Sequence, residues 1–143
     1  MNPAIAIPAF NGWKAVSSSG YNRPAALARL LAALAAADVA PGTPLLIAVD
    51  CPADERHAAA NAAVLATARA FHWPHGPLEV VTQPAPLGLV SNVFFCGAAA
   101  EQYGAVVLLE DDLIVSARFH AYARQALAVY GDDERLAGLS LNA

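Results

Sequence analysis

The 143-residue chain is poor in charge: charged residues make up 14% of it, against 57% hydrophobic residues. So little charge with so much apolar content excludes an intrinsically disordered chain. Lysine and arginine together number 8 against 12 acidic residues, and they are scattered singly along the sequence. A protein that binds a nucleic-acid backbone places several cations together opposite the phosphates. The sequence therefore argues against a nucleic-acid partner.

Cysteine is scarce, and very long hydrophobic runs are missing. Cys51 and Cys96 lie far apart without a CxxC pair, too few for a disulfide scaffold or a structural zinc site. The longest apolar stretch, Ala25 to Ala37, is interrupted by Arg29, whereas a bilayer crossing needs about 20 apolar residues. The N-terminus lacks the basic region of a signal peptide. These absences predict reduced thiols, no transmembrane segment and a cytoplasmic protein, at most peripheral to a membrane.

Short apolar runs alternate with longer stretches of helical periodicity. Three runs have the length of strands: Leu45 to Val49 and Ala105 to Leu109 are continuously apolar, and Leu78 to Thr82 is apolar apart from Glu79 and Thr82. Strands without polar alternation, separated by helices, indicate a parallel sheet covered on both faces. The length suits one domain. We therefore predict a single α/β domain over residues 1–143, with a Rossmann-like, mostly parallel sheet and helices on both faces.

The first and last strands leave alternatives open. Either Ala4 to Ile7, stopped by Pro8, or Lys14 to Ser19 forms the first core strand, and the other would be an edge piece. Leu136 to Leu141 is a candidate for the last strand. Ser91 is a candidate cap for a helix before the fourth strand. The residues expected to point inward from that helix are Val93, Phe94, Gly97 and Ala100.

Acidic residues follow two of the predicted strands. Asp50 comes directly after the second strand, and Glu110, Asp111 and Asp112 follow the fourth. In an open parallel sheet, ligands bind beyond the carboxyl ends of the strands. Three consecutive carboxylates are too costly to bury without a counter-charge, so they form either a solvated loop or a cation site. A hard divalent ion held by one or two carboxylates and completed by a ligand's phosphates fits the second alternative.

An ordered set of motifs resembles a known enzyme family. The set comprises Gly20-Tyr21-Asn22-Arg23-Pro24 before a leucine-rich helix, Asp50 closing a strand, Leu87-Gly88-Leu89 before a helix, and Leu109-Glu110-Asp111-Asp112-Leu113-Ile114-Val115-Ser116 followed by Phe119 and Tyr122. From about residue 15 onward the chain is similar to the nucleotide-sugar-binding half of GT-A-fold glycosyltransferases. Within this family, the chain resembles the family-2-like bacterial enzymes and the N-acetylglucosaminyltransferase I group.

The resemblance implies a role for each matching residue. The acidic triplet corresponds to the family's DxD-type motif, in which Asp112 would bind Mn²⁺ or Mg²⁺ directly. Glu110 and Asp111 would contact the sugar and ribose side of the donor, Asp50 its base or ribose, and Arg23 the nucleotide. The implied function is metal-dependent transfer of a hexosyl-type group from a nucleotide diphosphate sugar, with a UDP-sugar favoured.

Departures from the family pattern keep other interpretations open. Family members continue into an acceptor half that supplies the general base, so we expect this chain to carry only the donor-binding part and assign no catalytic base. The alternative is a truncated or degenerate module that binds nucleotide without transferring sugar, with an exposed sheet edge that could drive self-association. Asp50 could instead cap the helix that follows it, and Arg23 could be a surface charge beside a turn.

Overall fold

Strands and helices alternate through residues 3–9, 23–52 and 54–140, the part of the chain that the computed structural model describes. The strands are β1 (Ala4–Ala9), β2 (Leu45–Val49), β3 (Leu78–Thr82) and β4 (Val106–Leu108). The helices are α1 (Arg23–Ala36), α2 (Glu55–Ala70), α3 (Gly88–Gly97), α4 (Ala99–Tyr103) and α5 (Phe119–Tyr130). No helix in these ranges is both long and apolar enough to span a bilayer.

The four strands form one sheet in the order β3-β2-β1-β4, and every neighbouring pair is parallel. β1 is therefore central: Ile5 lies opposite Leu45 on one side and Val107 on the other. Parallel neighbours need crossover connections, which the helices supply. The carboxyl ends of all four strands meet at one edge, so the residues that follow β2 and β4 are collected there. This arrangement confirms the predicted Rossmann-like parallel sheet.

The two faces of the sheet carry side chains of different size. Ile5, Ile7 and Ile47 point to one face and join the main core with residues of α1, α2 and α5. Ala6 and Ala48 point to the opposite face, where they pack against α3 through a buried cysteine. Side chains alternate between faces along a strand, and the small alanines let α3 approach the sheet closely. Helices therefore cover both faces, as predicted.

The predicted leucine stripe of α1 is confirmed. Pro24 lies in the first turn of the helix, where its missing N–H costs no hydrogen bond. The four leucines predicted to share one face are all at most 1% exposed: Leu27, Leu30, Leu31 and Leu34. Each aliphatic side chain buried in this way stabilises the fold by about 1.5–3 kcal/mol relative to an exposed position.

β1 continues through Pro8 to Ala9, although Pro8 was expected to stop the strand. The even-numbered residues of β1 bond toward β4, since the Ala4 N–H donates to the Ala105 carbonyl. Pro8 belongs to the same series, but the pairing with β4 ends at Ala6. The missing N–H of Pro8 therefore removes no ladder bond. The competing segment, residues 14–19, lies outside the described residues.

The helix before β4 differs from the prediction in its start and its orientation. α3 begins at Gly88 rather than Ser91, and the chain turns at Ala98 into α4. Its buried residues are Asn92 and Cys96, whereas Phe94, expected to point inward, is 74% exposed. The helix faces the sheet with a polar and a small side chain because the opposing strand residues are alanines.

The predicted last strand does not form over residues 136–140, and Leu141 lies outside the described residues. The chain turns after α5 instead. The Leu136 N–H donates to the Asp133 carbonyl at 2.9 Å, and the Arg135 side chain folds back onto the Asp133 carboxylate. Residues 136–140 then line a groove of about 660 Å³ beside β4 and α5.

Candidate functional site

The acidic triplet forms a turn directly beyond β4. The Leu109 N–H donates to the Ala6 carbonyl at 3.0 Å, which extends the β1 pairing by one residue. The chain then turns, and the Leu113 N–H donates to the Glu110 carbonyl at 3.3 Å. Glu110 and Asp112 are exposed, whereas Asp111 is 8% exposed. The turn thus presents two carboxylates to solvent and directs the third into the protein.

The residues of this turn fit a divalent ion that is shared with a ligand. In the described part of the chain, no group of three or more His, Cys, Asp and Glu side chains is placed to hold a metal. Mn²⁺ and Mg²⁺ prefer hard oxygen donors, and Mg²⁺ commonly binds one or two carboxylates with substrate phosphates completing its shell. The exposed carboxylates of Glu110 and Asp112 supply donors of that kind. The donor set suits an ion completed by phosphates rather than an all-protein site.

Asp50 is 2% exposed and lies at the end of β2. Its Oδ1 accepts the N–H groups of Cys51 and Leu87, each at 2.9 Å, and its Oδ2 accepts the Gly88 N–H at 2.9 Å. The carboxylate therefore satisfies backbone donors at the start of α3, where a negative charge is also favoured by the helix dipole. The sequence suggested a cap for the following helix, α2; the helix that Asp50 caps is α3.

Three buried or half-buried amide side chains lie near the end of β2, and sequence reasoning missed all of them as site residues. The Asn61 amide donates to the Asp50 carbonyl at 2.6 Å. The Asn92 amide donates to the Ala48 carbonyl at 3.0 Å, and the Asn92 carbonyl oxygen accepts from the Gln83 amide at 3.1 Å. Asn92 is fully buried. The sequence signal that could have identified Asn92 was its position one helical turn before Cys96, which places both residues on the same inward face of α3.

Asp50 and the acidic triplet lie at the same edge of the sheet but do not form one cluster. They follow β2 and β4, which are separated by β1. Neighbouring strands are about 4.8 Å apart, so the two chain positions are separated by roughly 10 Å across the sheet. That separation suits two ends of one extended ligand. Arg23 is the first residue of α1, and its side chain lies outside the described residues.

The two cysteines are free thiols with different surroundings. Cys96 is buried against the sheet, and burial raises the pKa of its thiol to about 12. A thiol with so high a pKa stays protonated near neutral pH and is a poor nucleophile. Cys51 is half-buried directly after Asp50. Cys96 therefore has a packing role, and the reduced state of the two thiols stays a prediction.

Comparison with known proteins supports the fold. No protein-family model and no curated protein matches the chain. Among solved structures, the crystal structure of S. aureus TarS 1–349, a staphylococcal glycosyltransferase, aligns with 98% of this chain at a TM-score of 0.56 and 15% sequence identity. The chain spans 38% of that TarS chain. Together with the four-stranded parallel sheet, this likeness shows a glycosyltransferase-like, Rossmann-like α/β fold.

Proposed function

We propose that this chain is the donor-binding part of a metal-dependent glycosyltransferase that uses a nucleotide diphosphate sugar. The observation that carries the proposal is the acidic turn Glu110-Asp111-Asp112, which lies directly beyond β4 at the carboxyl edge of a glycosyltransferase-like sheet. Ligands of open parallel sheets bind at this edge. A UDP-sugar is the favoured donor, and the transferred group is of the hexosyl type.

The proposed roles of the acidic side chains are those that the family resemblance implies. Asp112 is exposed and would hold Mn²⁺ or Mg²⁺. Glu110 and Asp111 would lie on the sugar and ribose side, and Arg23 near the nucleotide. The bound ion would act as a Lewis acid on the diphosphate leaving group. Three carboxylates would otherwise repel the negative charge of the diphosphate, so the side chains of the turn and the donor need a cation between them.

The position of Asp50 supports a place for the other end of the donor. Asp50 lies two strands away from the acidic turn along the same edge, a separation suited to the base or ribose when the diphosphate lies near Asp112. The donor would therefore cross the end of β1. In this arrangement β4 provides the metal side of the site and β2 with the start of α3 provides the nucleoside side.

Calorimetric titration of UDP, GDP and CMP, with and without Mn²⁺, tests the proposal. We expect metal-dependent binding of one nucleotide, weakened by at least about tenfold in Asp112→Ala because a direct carboxylate ligand is lost. Asp132→Ala removes an equally exposed carboxylate from the turn after α5 and should bind as the wild type does. A folded protein that binds none of the nucleotides, with or without the metal, would overturn the proposed donor site.

A binding module without transferase activity is the second hypothesis, and release of the nucleotide is the result that would exclude it. The wild-type chain is incubated with UDP-hexoses and Mn²⁺, and free UDP is measured over time. UDP release that is lost in Asp112→Ala supports transfer or hydrolysis at this site. Tight, metal-dependent binding with no UDP release is expected from the binding module and also from a donor-binding part that lacks an acceptor half.

A further inference from the structure

Both oxygens of the Asp50 carboxylate accept hydrogen bonds from the protein's own backbone. Both of its oxygens accept N–H groups, from Cys51 and Leu87 at Oδ1 and from Gly88 at Oδ2, all at 2.9 Å. The side chain is buried, with 2% of the residue exposed. A ligand hydroxyl or N–H that bound Asp50 directly would have to reach a buried oxygen and compete with these donors.

The backbone conformation at Gly88 is an independent sign of the same interaction. Gly88 has φ +79°, a left-handed value that glycine adopts without strain. This conformation occurs at the first residue of α3, where the Leu87 and Gly88 N–H groups both reach one carboxylate. A Cβ at Gly88 would meet no atom within 4 Å. The requirement for glycine is therefore conformational and not steric.

The side-chain amides of Asn92 and Gln83 hold the first turns of α3 against the sheet. Asn92 lies one turn after Gly88 and donates to the Ala48 carbonyl in β2, while Gln83 links the end of β3 to Asn92. The Gln83 N–H also donates to the Val49 carbonyl. Asp50 and Asn92 thus fix α3 to the end of β2 at two points, one turn apart.

We propose that Asp50 is a positioning residue for the nucleotide site: it fixes the Leu87–Gly88 backbone that borders the nucleoside, and it does not contact the nucleotide itself. The effect on nucleotide affinity rests on the proposed function, because fixing the start of α3 can change affinity only if a nucleotide binds there. The positioning role replaces the direct contact that the family resemblance implies for Asp50. The role follows from a buried carboxylate that accepts three backbone N–H groups, two of them at the start of α3.

The test compares two variants that loosen the same contact by different chemistry. Asp50→Asn replaces one carboxylate oxygen with an amide N–H donor, which opposes a backbone N–H. Gly88→Ala leaves Asp50 intact and strains the left-handed backbone. Gly97→Ala is the matched control, because Gly97 lies at the end of the same helix and a Cβ there would also meet no atom within 4 Å. Circular dichroism confirms that each protein is folded at the temperature used.

Two readouts are measured on each protein. Amide hydrogen exchange reports the start of α3, at Leu87, Gly88 and the following turn. Calorimetry with UDP, GDP and CMP in Mn²⁺ reports affinity and base selectivity. We expect the backbone amides of residues 87 and 88 to exchange roughly tenfold faster in both variants, because each variant weakens about one hydrogen bond to a charged group. Affinity should fall by a similar factor for every nucleotide that binds, with selectivity unchanged, and Gly97→Ala should change neither readout.

Two results would overturn the inference. Unchanged exchange at Leu87 and Gly88 in Asp50→Asn would show that the carboxylate does not fix the start of α3. Loss of base selectivity in Asp50→Asn, with normal affinity in Gly88→Ala, would show direct contact with the nucleotide. If the wild-type protein binds no nucleotide, the proposed function fails; the exchange data alone then decide whether Asp50 positions α3.

Discussion

His120 is a buried histidine whose two ring nitrogens are both used in its neutral form. Nδ1 accepts the Ala40 N–H at 3.4 Å, and the opposite ring nitrogen, Nε2, donates to the Pro3 carbonyl at 3.3 Å. Protonation would place a second ring N–H against the Ala40 N–H. Burial lowers the pKa of His120 below its ordinary 6.5; the Pro3 carbonyl opposes this shift and the positive charge of Arg124 adds to it.

Stability should therefore decrease as the pH falls through 6.5. The unfolded chain binds a proton at His120 near its ordinary pKa of 6.5, whereas the folded chain does so only at lower pH. Between these two pKa values the unfolded state binds more protons than the folded state, so the free energy of unfolding falls with decreasing pH. Urea unfolding at pH 7.5, 6.5 and 5.5 measures the effect.

Histidine variants separate the contribution of His120 from that of other groups. His120→Gln should flatten the pH dependence of the free energy of unfolding between pH 7.5 and 5.5. His72→Gln, at an exposed position, should keep the wild-type dependence. The same pH dependence in both variants would contradict the assignment to His120.

Gly76 is required by a close approach between two turns. A Cβ at this position would overlap the Thr43 carbonyl, which accepts the Trp73 indole N–H at 2.7 Å. We predict that Gly76→Ala lowers the free energy of unfolding by about 1–3 kcal/mol, the usual cost of an overpacked site. Gly138→Ala, where a Cβ would meet no atom within 4 Å, is the control. Chemical denaturation of both variants measures the difference; equal stabilities would contradict the prediction.

The site residues divide into those that the sequence could predict and those that it could not. Asp50 and the acidic triplet were predictable at the sheet edge because each directly follows a recognisable strand. Asn61, Gln83 and Asn92 were not, because their partners come from other elements of the chain. A buried amide is recognised only once its partner is known. The contacts of the acidic residues with metal and donor stay predictions.

At the scale of elements, the ends of a strand were predictable from the sequence where turn residues flank an apolar run. β2 and β3 have the predicted ends, because Pro44 and Pro77 precede them and polar residues follow. The start of α3 was not predictable, because its cap is the carboxylate of Asp50 and not a residue beside it in the chain. The end of β4 was also missed by one residue, since Leu109 makes only a single bond to β1.

The orientation of α3 leads to a prediction about Phe94. This side chain is 74% exposed, whereas Leu30 of α1 is fully buried. Phe94→Ala should change the free energy of unfolding by at most about 0.5 kcal/mol, as for most surface substitutions. Leu30→Ala should lower it by about 2–5 kcal/mol, through lost burial and a cavity. Urea denaturation measures both changes. A large decrease in the free energy of unfolding of Phe94→Ala would show that Phe94 is buried in the core.

At the scale of the whole molecule, β4 is an edge strand of the sheet that the described residues form. It borders the groove of about 660 Å³ that residues 136–140 and α5 also line. Leu108 in this strand is 42% exposed. An edge strand beside an apolar groove is a template for pairing with another chain. The single-domain assignment of residues 1–143 stays a prediction.

We predict that the isolated chain self-associates through this edge. Sedimentation velocity over a range of protein concentrations should show dimers or larger species in the wild type. Leu108→Lys should shift the protein toward monomer, since a charge on an edge strand opposes pairing. Val129→Lys, at a 71% exposed position of α5 that does not line the groove, should leave association unchanged. Association that is equal in all three proteins would contradict the role of β4.

The central position of β1 has a consequence for folding during synthesis. β1 is made first, yet its partners β2 and β4 are Leu45–Val49 and Val106–Leu108. At roughly 5–20 residues per second, the ribosome delivers β4 several seconds or more after β1. During that time the apolar β1 can pair with only one of its two partners among the described strands, so one side of it stays unpaired. Slow translation between β2 and β4 should therefore increase aggregation, a result that pulse-labelled cell-free synthesis would measure.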